Sequence, residues 1–139
     1  MNRFIILAIS IILSHFTAVC QEPDCRIVKN GTFKSVLVID GQEFETIITR
    51  ENNKQIEDNK AEGIKMAFDV KWTSACTYEL SKPRILKGNV PGVTPDQVLY
   101  VRITAVTKES YTVEVTSNFF SEKASFDFLI LHKDLNKKL

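Results

Sequence analysis

Apolar and polar residues alternate along most of this chain, in short runs separated by turn residues. The clearest run is Ile64 to Trp72, in which apolar side chains occupy every second position. A period of two places successive side chains on opposite faces of a strand, whereas a helix would scatter the same positions around its circumference. The run therefore predicts a strand with one buried face and one wet face.

Similar runs follow one another from the first strand to the end of the chain. They are Thr32–Ile39, Glu43–Arg50, Ala75–Ser81, Val98–Thr107, Tyr111–Ser117 and Ser125–His132, with Lys54–Asp58 as a short extra strand. Asp40-Gly41 is a two-residue hairpin signal, because a type I′ turn needs positive φ at both positions. We predict an all-β fold, an antiparallel up-and-down meander of seven or eight strands forming a small barrel or a strongly curved sheet. A two-sheet sandwich fits the same pattern.

The first twenty residues have a different character. Arg3 precedes the apolar run Phe4 to Leu13, and the small-residue pattern Ala18-Val19-Cys20 follows. This is typical of a secretory signal peptide, and the run is too short to span a bilayer comfortably. We predict a signal peptide at residues 1–20 and a single β-barrel domain at residues 21–139, exported to the periplasm, the cell envelope or the exterior.

Cys20 allows a second interpretation of the export signal. A cysteine that directly follows a signal can be the lipidated first residue of a bacterial lipoprotein, which would hold the protein on a membrane. The usual lipobox has Gly, Ala or Ser before that cysteine, whereas this chain has Val19. We therefore favour cleavage after Cys20, and expect membrane association only if Cys20 is lipidated.

The charge balance excludes one class of partner. Removal of residues 1–20 takes away Arg3 and no acid, so 17 Lys and Arg face 17 Asp and Glu. A formally neutral domain lacks the basic footprint of a nucleic-acid-binding protein. The basic residues near the C-terminus, Lys133, Lys137 and Lys138, are interpreted as a solvated terminus.

Cys25 and Cys76 remain as a pair in an oxidising compartment, and we predict a disulfide between them. It closes a loop of about 50 residues, for which chain entropy gives roughly 4 kcal/mol of stability. We expect the bond to pin the N-terminal segment to the barrel wall. A redox or metal-binding pair is the alternative, but the chain has no C-x-x-C spacing and no clustered histidines.

Two groups of side chains are candidates for a ligand-binding site. Arg50, Gln55 and Glu57 lie on either side of an Asn52-Asn53 turn, so a hairpin brings them together. On a sheet surface they could bind a small anion or carboxylate through the guanidinium fork, or they could simply be cross-strand salt bridges.

The second group is aromatic. Trp72 and Tyr78 flank a turn near Cys76, where they could form the floor of a pocket or pack over the disulfide as core. The adjacent pair Phe119-Phe120 is expected to point one ring toward each face of the sheet, which leaves one of them exposed as a contact.

Several of these residues also carry a resemblance. The order Cys25, Gly31-x-Phe33, Arg50, Gln55-x-Glu57, Val70-x-Trp72, Cys76-x-Tyr78-x-Leu80 resembles short exported proteins of flavobacteria and their relatives. That family has no assigned function, and some members are labelled as DNA topoisomerase IV. The first strand and the meander also look like a small lipocalin-like barrel, which implies ligand binding. A neutral exported domain of this size has none of the parts that a topoisomerase needs.

The sequence predicts no catalytic residue, cofactor or metal. His132 is the only histidine after the signal segment, and it lies near the C-terminus. Motifs for zinc proteases, serine hydrolases, nucleotide binding and calcium loops are all absent from the chain. We therefore expect a protein that is not an enzyme.

The leading functional prediction is an exported barrel that binds a small apolar or amphipathic ligand inside. The alternative is an envelope structural or interaction protein with a filled core and no ligand, whose partner is an envelope protein. A weaker third option is a hydrolase or isomerase that uses acids inside the barrel. A ligand-binding barrel should hold a pocket of several hundred Å³ with apolar walls and few polar groups.

Overall fold

The computed structural model describes residues 22–133. The predicted signal segment, Cys20, Lys137 and Lys138 lie outside this range. The elements are a 3₁₀ helix at Cys25–Val28 and strands β1 (Gly31–Ile39), β2 (Gln42–Glu51), β3 (Lys54–Asn59), β4 (Ile64–Trp72), β5 (Thr77–Lys87), β6 (Leu99–Val106), β7 (Ser110–Ser117) and β8 (Ala124–Lys133). Within the described range, no helix is long and apolar enough to cross a membrane.

The eight strands form a closed barrel in which each strand pairs antiparallel with the next, and β8 pairs with β1. This confirms the predicted up-and-down meander and includes the short polar strand β3. Closure also decides between the barrel, the curved sheet and the sandwich that the pattern left open. The short turns arise as expected, since Asp40 and Gly41 in the β1–β2 hairpin have φ values of 51° and 78°.

The connections alternate between two ends of the barrel. We call the end with the β2–β3, β4–β5 and β6–β7 turns the base, and the other end the mouth. The 3₁₀ helix lies at the base, where Cys25 is joined to Cys76 in the β4–β5 connection with an S–S distance of 2.01 Å. Val28, the last residue of this helix, is fully buried. The predicted disulfide therefore holds a segment that covers one end of the barrel.

Closure depends on a glycine where β1 meets β8. The register between these strands shifts between Thr32 and Phe33, and Gly31 beside it has a φ of 142°. A Cβ atom on Gly31 would lie 2.4 Å from the backbone oxygen of His132. Only glycine lets the two backbones approach this closely in this conformation.

Aromatic side chains fill the barrel near the base. Phe33 is fully buried and packs edge-on against Tyr111, with 5.1 Å between ring centroids. Tyr111 stacks on Phe128 at 5.0 Å. Near the mouth, by contrast, Val36 to Ile39 at the far end of β1 are all more than 40% exposed. The core is thus concentrated at the base, and the mouth is open.

Candidate functional site

Arg50 lies at the base of the barrel, and its side chain is buried in the interior with 1% exposure. The β2–β3 turn places its partner: Asn52 and Asn53 take φ values of 52° and 59°, and Gln55 then pairs directly with Arg50 across the hairpin. Asparagine accepts positive φ more readily than most residues. The turn chemistry therefore brings an arginine and a glutamine together inside the barrel.

The guanidinium group of Arg50 is held by four hydrogen bonds. Nε donates to Gln55 Oε1 at 2.8 Å, Nη1 donates to the Val28 carbonyl at 2.8 Å, and Nη2 donates to the Tyr78 and Tyr111 hydroxyls at 2.8 and 3.3 Å. The group also lies 4.5 Å from the Tyr78 ring centroid and 5.3 Å from that of Phe33, which adds cation–π attraction. Arg50 thus links its own strand, β2, to β3, β5, β7 and the 3₁₀ helix.

This geometry corrects the prediction of a surface anion site. The cluster lies in the barrel interior rather than on a sheet surface, and protein acceptors occupy the forked donors of Arg50. Burial works against the charge of Arg50, but the phenols of Tyr78 and Tyr111 and the carboxylate of Glu57 outweigh it, so the pKa of Arg50 is raised. Burial also raises the pKa values of both tyrosines. Arg50 stays a cation and the two phenols stay protonated in the ordinary pH range.

Glu57 extends this network into the barrel. Gln55 Nε2 donates to Glu57 Oε1 at 2.7 Å, so the amide of Gln55 connects Arg50 to the carboxyl group. Within residues 22–133, Glu57 Oε2 accepts no hydrogen bond, and Glu57 is partly accessible. Burial raises the pKa of Glu57, although the Gln55 bond and the charge of Arg50 both work to lower it.

The raised pKa makes stability depend on pH in a defined direction. Above the ordinary value of 4.5, the folded protein keeps the Glu57 proton more tightly than the unfolded chain does. The free energy of unfolding should therefore fall as the pH rises from about 4.5 through the folded-state pKa. Glu57→Gln cannot titrate and should remove this part of the decline, as measured by urea unfolding of both proteins between pH 4 and 8. Parallel pH curves for the two proteins would contradict this assignment.

A cavity of about 220 Å³ lies inside the barrel above the Arg50 network. Its walls are mostly aliphatic and aromatic, and its polar lining residues are Ser35, Thr46, Gln55, Glu57 and Tyr78. The apolar lining residues are Ile48, Leu80, Leu99, Val101, Val113, Val115, Phe126 and Phe128. A mostly apolar cavity with a few polar groups is the usual form of a small-molecule site.

Two further cavities adjoin the interior one toward the mouth. One, of about 350 Å³, lies under the β5–β6 loop, and the other, of about 570 Å³, lies beside the β7–β8 connection. Leu99 lines all three. The three cavities therefore adjoin one another at Leu99, between the mouth and the cavity that Glu57 lines.

The positions of Phe119 and Phe120 at the mouth differ from the expectation. Their rings do not point to opposite faces: the centroids are 4.7 Å apart, both side chains are exposed, and both line the cavity under the β5–β6 loop. The two residues follow β7 on a connection, where the period of two that governs a strand does not apply.

The predicted aromatic pair divides between two positions. Trp72 and Tyr78 lie opposite each other on β4 and β5, with ring centroids 4.7 Å apart. Tyr78 lines the interior cavity and contacts Arg50. Trp72 does not line it; its ring lies 4.9 Å from Lys29 Nζ, at the base.

Sequence reasoning missed two members of the network, Tyr111 and the carbonyl of Val28. The alternation in β7 places Tyr111 on the same face as Val113 and Val115, which was a usable signal. The sequence gives no indication of the Val28 carbonyl, because every residue has a backbone carbonyl whatever its side chain. Elsewhere in the described chain, no three His, Cys, Asp or Glu residues lie together as a metal site would require.

Comparison with known proteins gives no relative for this chain: no family model, curated protein or solved structure matches it. The resemblance to exported flavobacterial proteins thus stays a prediction. What stands is an eight-stranded antiparallel β-barrel with a Cys25–Cys76 disulfide.

Proposed function

We propose that this chain is an exported, non-enzymatic β-barrel that binds a small amphipathic ligand in its interior. The observation that carries the proposal is the 220 Å³ cavity, with mostly apolar walls and a few polar groups, of which Gln55, Glu57 and Tyr78 lie next to the Arg50 network. Apolar surface transferred from water into such a cavity supplies the binding free energy, and the polar end fixes orientation. The disulfide and the sequence of residues 1–20 support export.

The closed base and the open mouth fit this role. The 3₁₀ helix covers the base, where Arg50 donates to the Val28 carbonyl, so a ligand would enter from the mouth. The exposed rings of Phe119 and Phe120 line that entrance. A buried base and an exposed apolar mouth support entry of a ligand at the mouth without disruption of the core.

Binding of the neutral, polarity-sensitive dye prodan tests the proposal. We expect saturable binding with one site and a blue shift of emission. Val115→Trp, which places an indole in the interior cavity, should weaken binding at least about tenfold, as loss of the apolar contact area implies. The control is Val38→Trp, at a position 60% exposed on β1, which should bind like the unmodified protein.

The unmodified protein decides the outcome even if Val115→Trp folds poorly. Absence of saturable prodan binding would overturn the proposed function. Equal affinities for the unmodified protein and a folded Val115→Trp would place the dye outside the cavity and overturn it as well.

The envelope interaction protein is the second candidate, and one observation favours it. β1 pairs with β8 only from Gly31 to Ser35, so Val36 to Ile39 continue with β2 as partner on one side and form an exposed apolar strand edge on the other. Such edges are templates for pairing with another chain. A failure of prodan binding in the unmodified protein would favour this candidate.

A further inference from the structure

The inner end of the interior cavity holds one carboxyl group that can still accept a hydrogen bond. Glu57 Oε1 is engaged by Gln55, whereas Oε2 accepts none within residues 22–133. Glu57 lines the cavity, so its remaining accessible surface faces the space that a ligand would fill. A carboxyl oxygen that faces a cavity and has no donor from the protein can accept a hydrogen bond from a ligand.

The cationic group nearby does not offer the opposite chemistry. Arg50 is 1% exposed, and its donors are directed to Gln55, the Val28 carbonyl and the two phenols. Of the residues that line the cavity, Gln55 and Tyr78 accept hydrogen bonds from Arg50. The hydrogen-bond donors of Arg50 are therefore engaged within the protein. Glu57 is the charged side chain that lines the cavity, and it would lie next to an anionic head group.

The other polar groups besides Gln55 are hydroxyls: that of Tyr78, next to Arg50, and those of Ser35 and Thr46, which line the same cavity. The Tyr78 hydroxyl accepts a hydrogen bond from Arg50 and retains its own proton, so it could donate to a ligand oxygen. Once Glu57 is ionised, neutral hydroxyl donors do not offset the repulsion between a ligand carboxylate and the Glu57 carboxylate in a cavity of low dielectric. The polar groups of the cavity therefore favour a ligand whose head group donates a hydrogen bond to Glu57.

We propose that the ligand of the interior cavity is an amphipathic amine, whose ammonium group donates to Glu57 while its apolar chain lies along the walls toward the mouth. This inference rests on the proposed function and names its ligand class. A charge-assisted hydrogen bond to a carboxylate is among the stronger polar contacts in proteins. The apolar walls alone would accept any chain, so Glu57 sets the preference for the head group.

The pH dependence of binding follows from the same geometry. The titratable groups around Glu57 are Arg50 on β2, Tyr78 on β5 and Tyr111 on β7, and none of the three changes charge between pH 4 and 8. Burial raises the pKa of Glu57. Amine affinity should therefore rise with pH as Glu57 ionises, and level off above its folded-state pKa.

Calorimetric titration with three probes of one chain length provides the test: octylamine, octanol and octanoate at pH 7 and fixed ionic strength. We expect the protein to bind octylamine at least about tenfold more tightly than octanoate, the ratio that a charge-assisted hydrogen bond implies. Glu57→Gln keeps the shape and the bond to Gln55, and it should bring the two affinities together. Glu43→Gln, which removes an exposed acid from β2, should keep the preference.

The outcomes separate this inference from the proposed function. Octanoate binding as tightly as octylamine to the unmodified protein would overturn the amine assignment and leave the cavity proposal standing. An octylamine preference that persists in Glu57→Gln would remove Glu57 as the acceptor. Failure of all three probes together with prodan would overturn the binding function itself.

Discussion

Replacement of Arg50 with methionine is expected to lower the free energy of unfolding by about 3–5 kcal/mol. Methionine has an apolar side chain of similar length, so the loss comes mainly from polar groups rather than from a large cavity. The Val28 carbonyl and Gln55 Oε1 would lose their donor, and each buried acceptor left without one costs about 1–3 kcal/mol. The aromatic rings around the guanidinium also lose cation–π attraction. Urea unfolding followed by far-ultraviolet circular dichroism measures the difference.

Arg102→Met provides a matched control. Arg102 lies on β6 and pairs with Glu114 on β7, but the side chain of Arg102 is 61% exposed. Exposed ion pairs contribute about 0–1 kcal/mol, so this variant should unfold nearly like the unmodified protein. Equal losses for Arg50→Met and Arg102→Met would mean that the buried network does not stabilise the base of the barrel.

Loss of the disulfide is expected to have an effect of similar size. Cys25 and Cys76 are 51 residues apart in sequence, and the chain-entropy model gives about 4 kcal/mol for a loop of that length. The double variant Cys25→Ser/Cys76→Ser should therefore unfold at much lower urea concentration than the oxidised protein. Reduction of the unmodified protein with dithiothreitol should lower stability by a comparable amount, while the double variant should not respond to the reductant. An oxidised protein whose unfolding midpoint is insensitive to reductant would contradict the prediction.

The two effects should not add. The disulfide holds the 3₁₀ helix at the base, and the same helix presents the Val28 carbonyl to Arg50. If the helix detaches on reduction, the Arg50 bond to Val28 is already lost, so Arg50→Met should cost less in reduced protein than in oxidised protein. Residues that share a structural element commonly show such coupling.

The sequence was most informative where the structure depends on neighbours along the chain. The period of two from Ile64 to Trp72 predicts a strand because alternation is a property of the local backbone. The Asp40-Gly41 and Asn52-Asn53 pairs predict hairpins because their positive φ values are a property of two residues. The disulfide was predictable for another reason: Cys25 and Cys76 are the only two cysteines after residue 20, where the predicted signal segment ends.

The sequence predicted only part of the candidate site. The hairpin signal brings Arg50 and Gln55 together, but the prediction placed them on the surface because charged residues are rarely buried. Arg50 has the same parity as Ile48 on β2, which indicated the inner face. Gln55 and Glu57 make the inner face of β3 polar, although the inner faces of strands are usually apolar. No local feature of the sequence indicates that these polar side chains lie inside a barrel.

The sequence by itself determined the strands, their order, the tight turns and the cysteine pair, since each follows from side-chain alternation, from turn chemistry or from composition. Only the tertiary structure decided that β8 closes on β1 across Gly31, that the Val28 carbonyl and the Tyr78 and Tyr111 hydroxyls meet Arg50, and that a cavity is left above them. These features depend on residues distant in sequence, whose approach is set by how the sheet curves and packs as a whole.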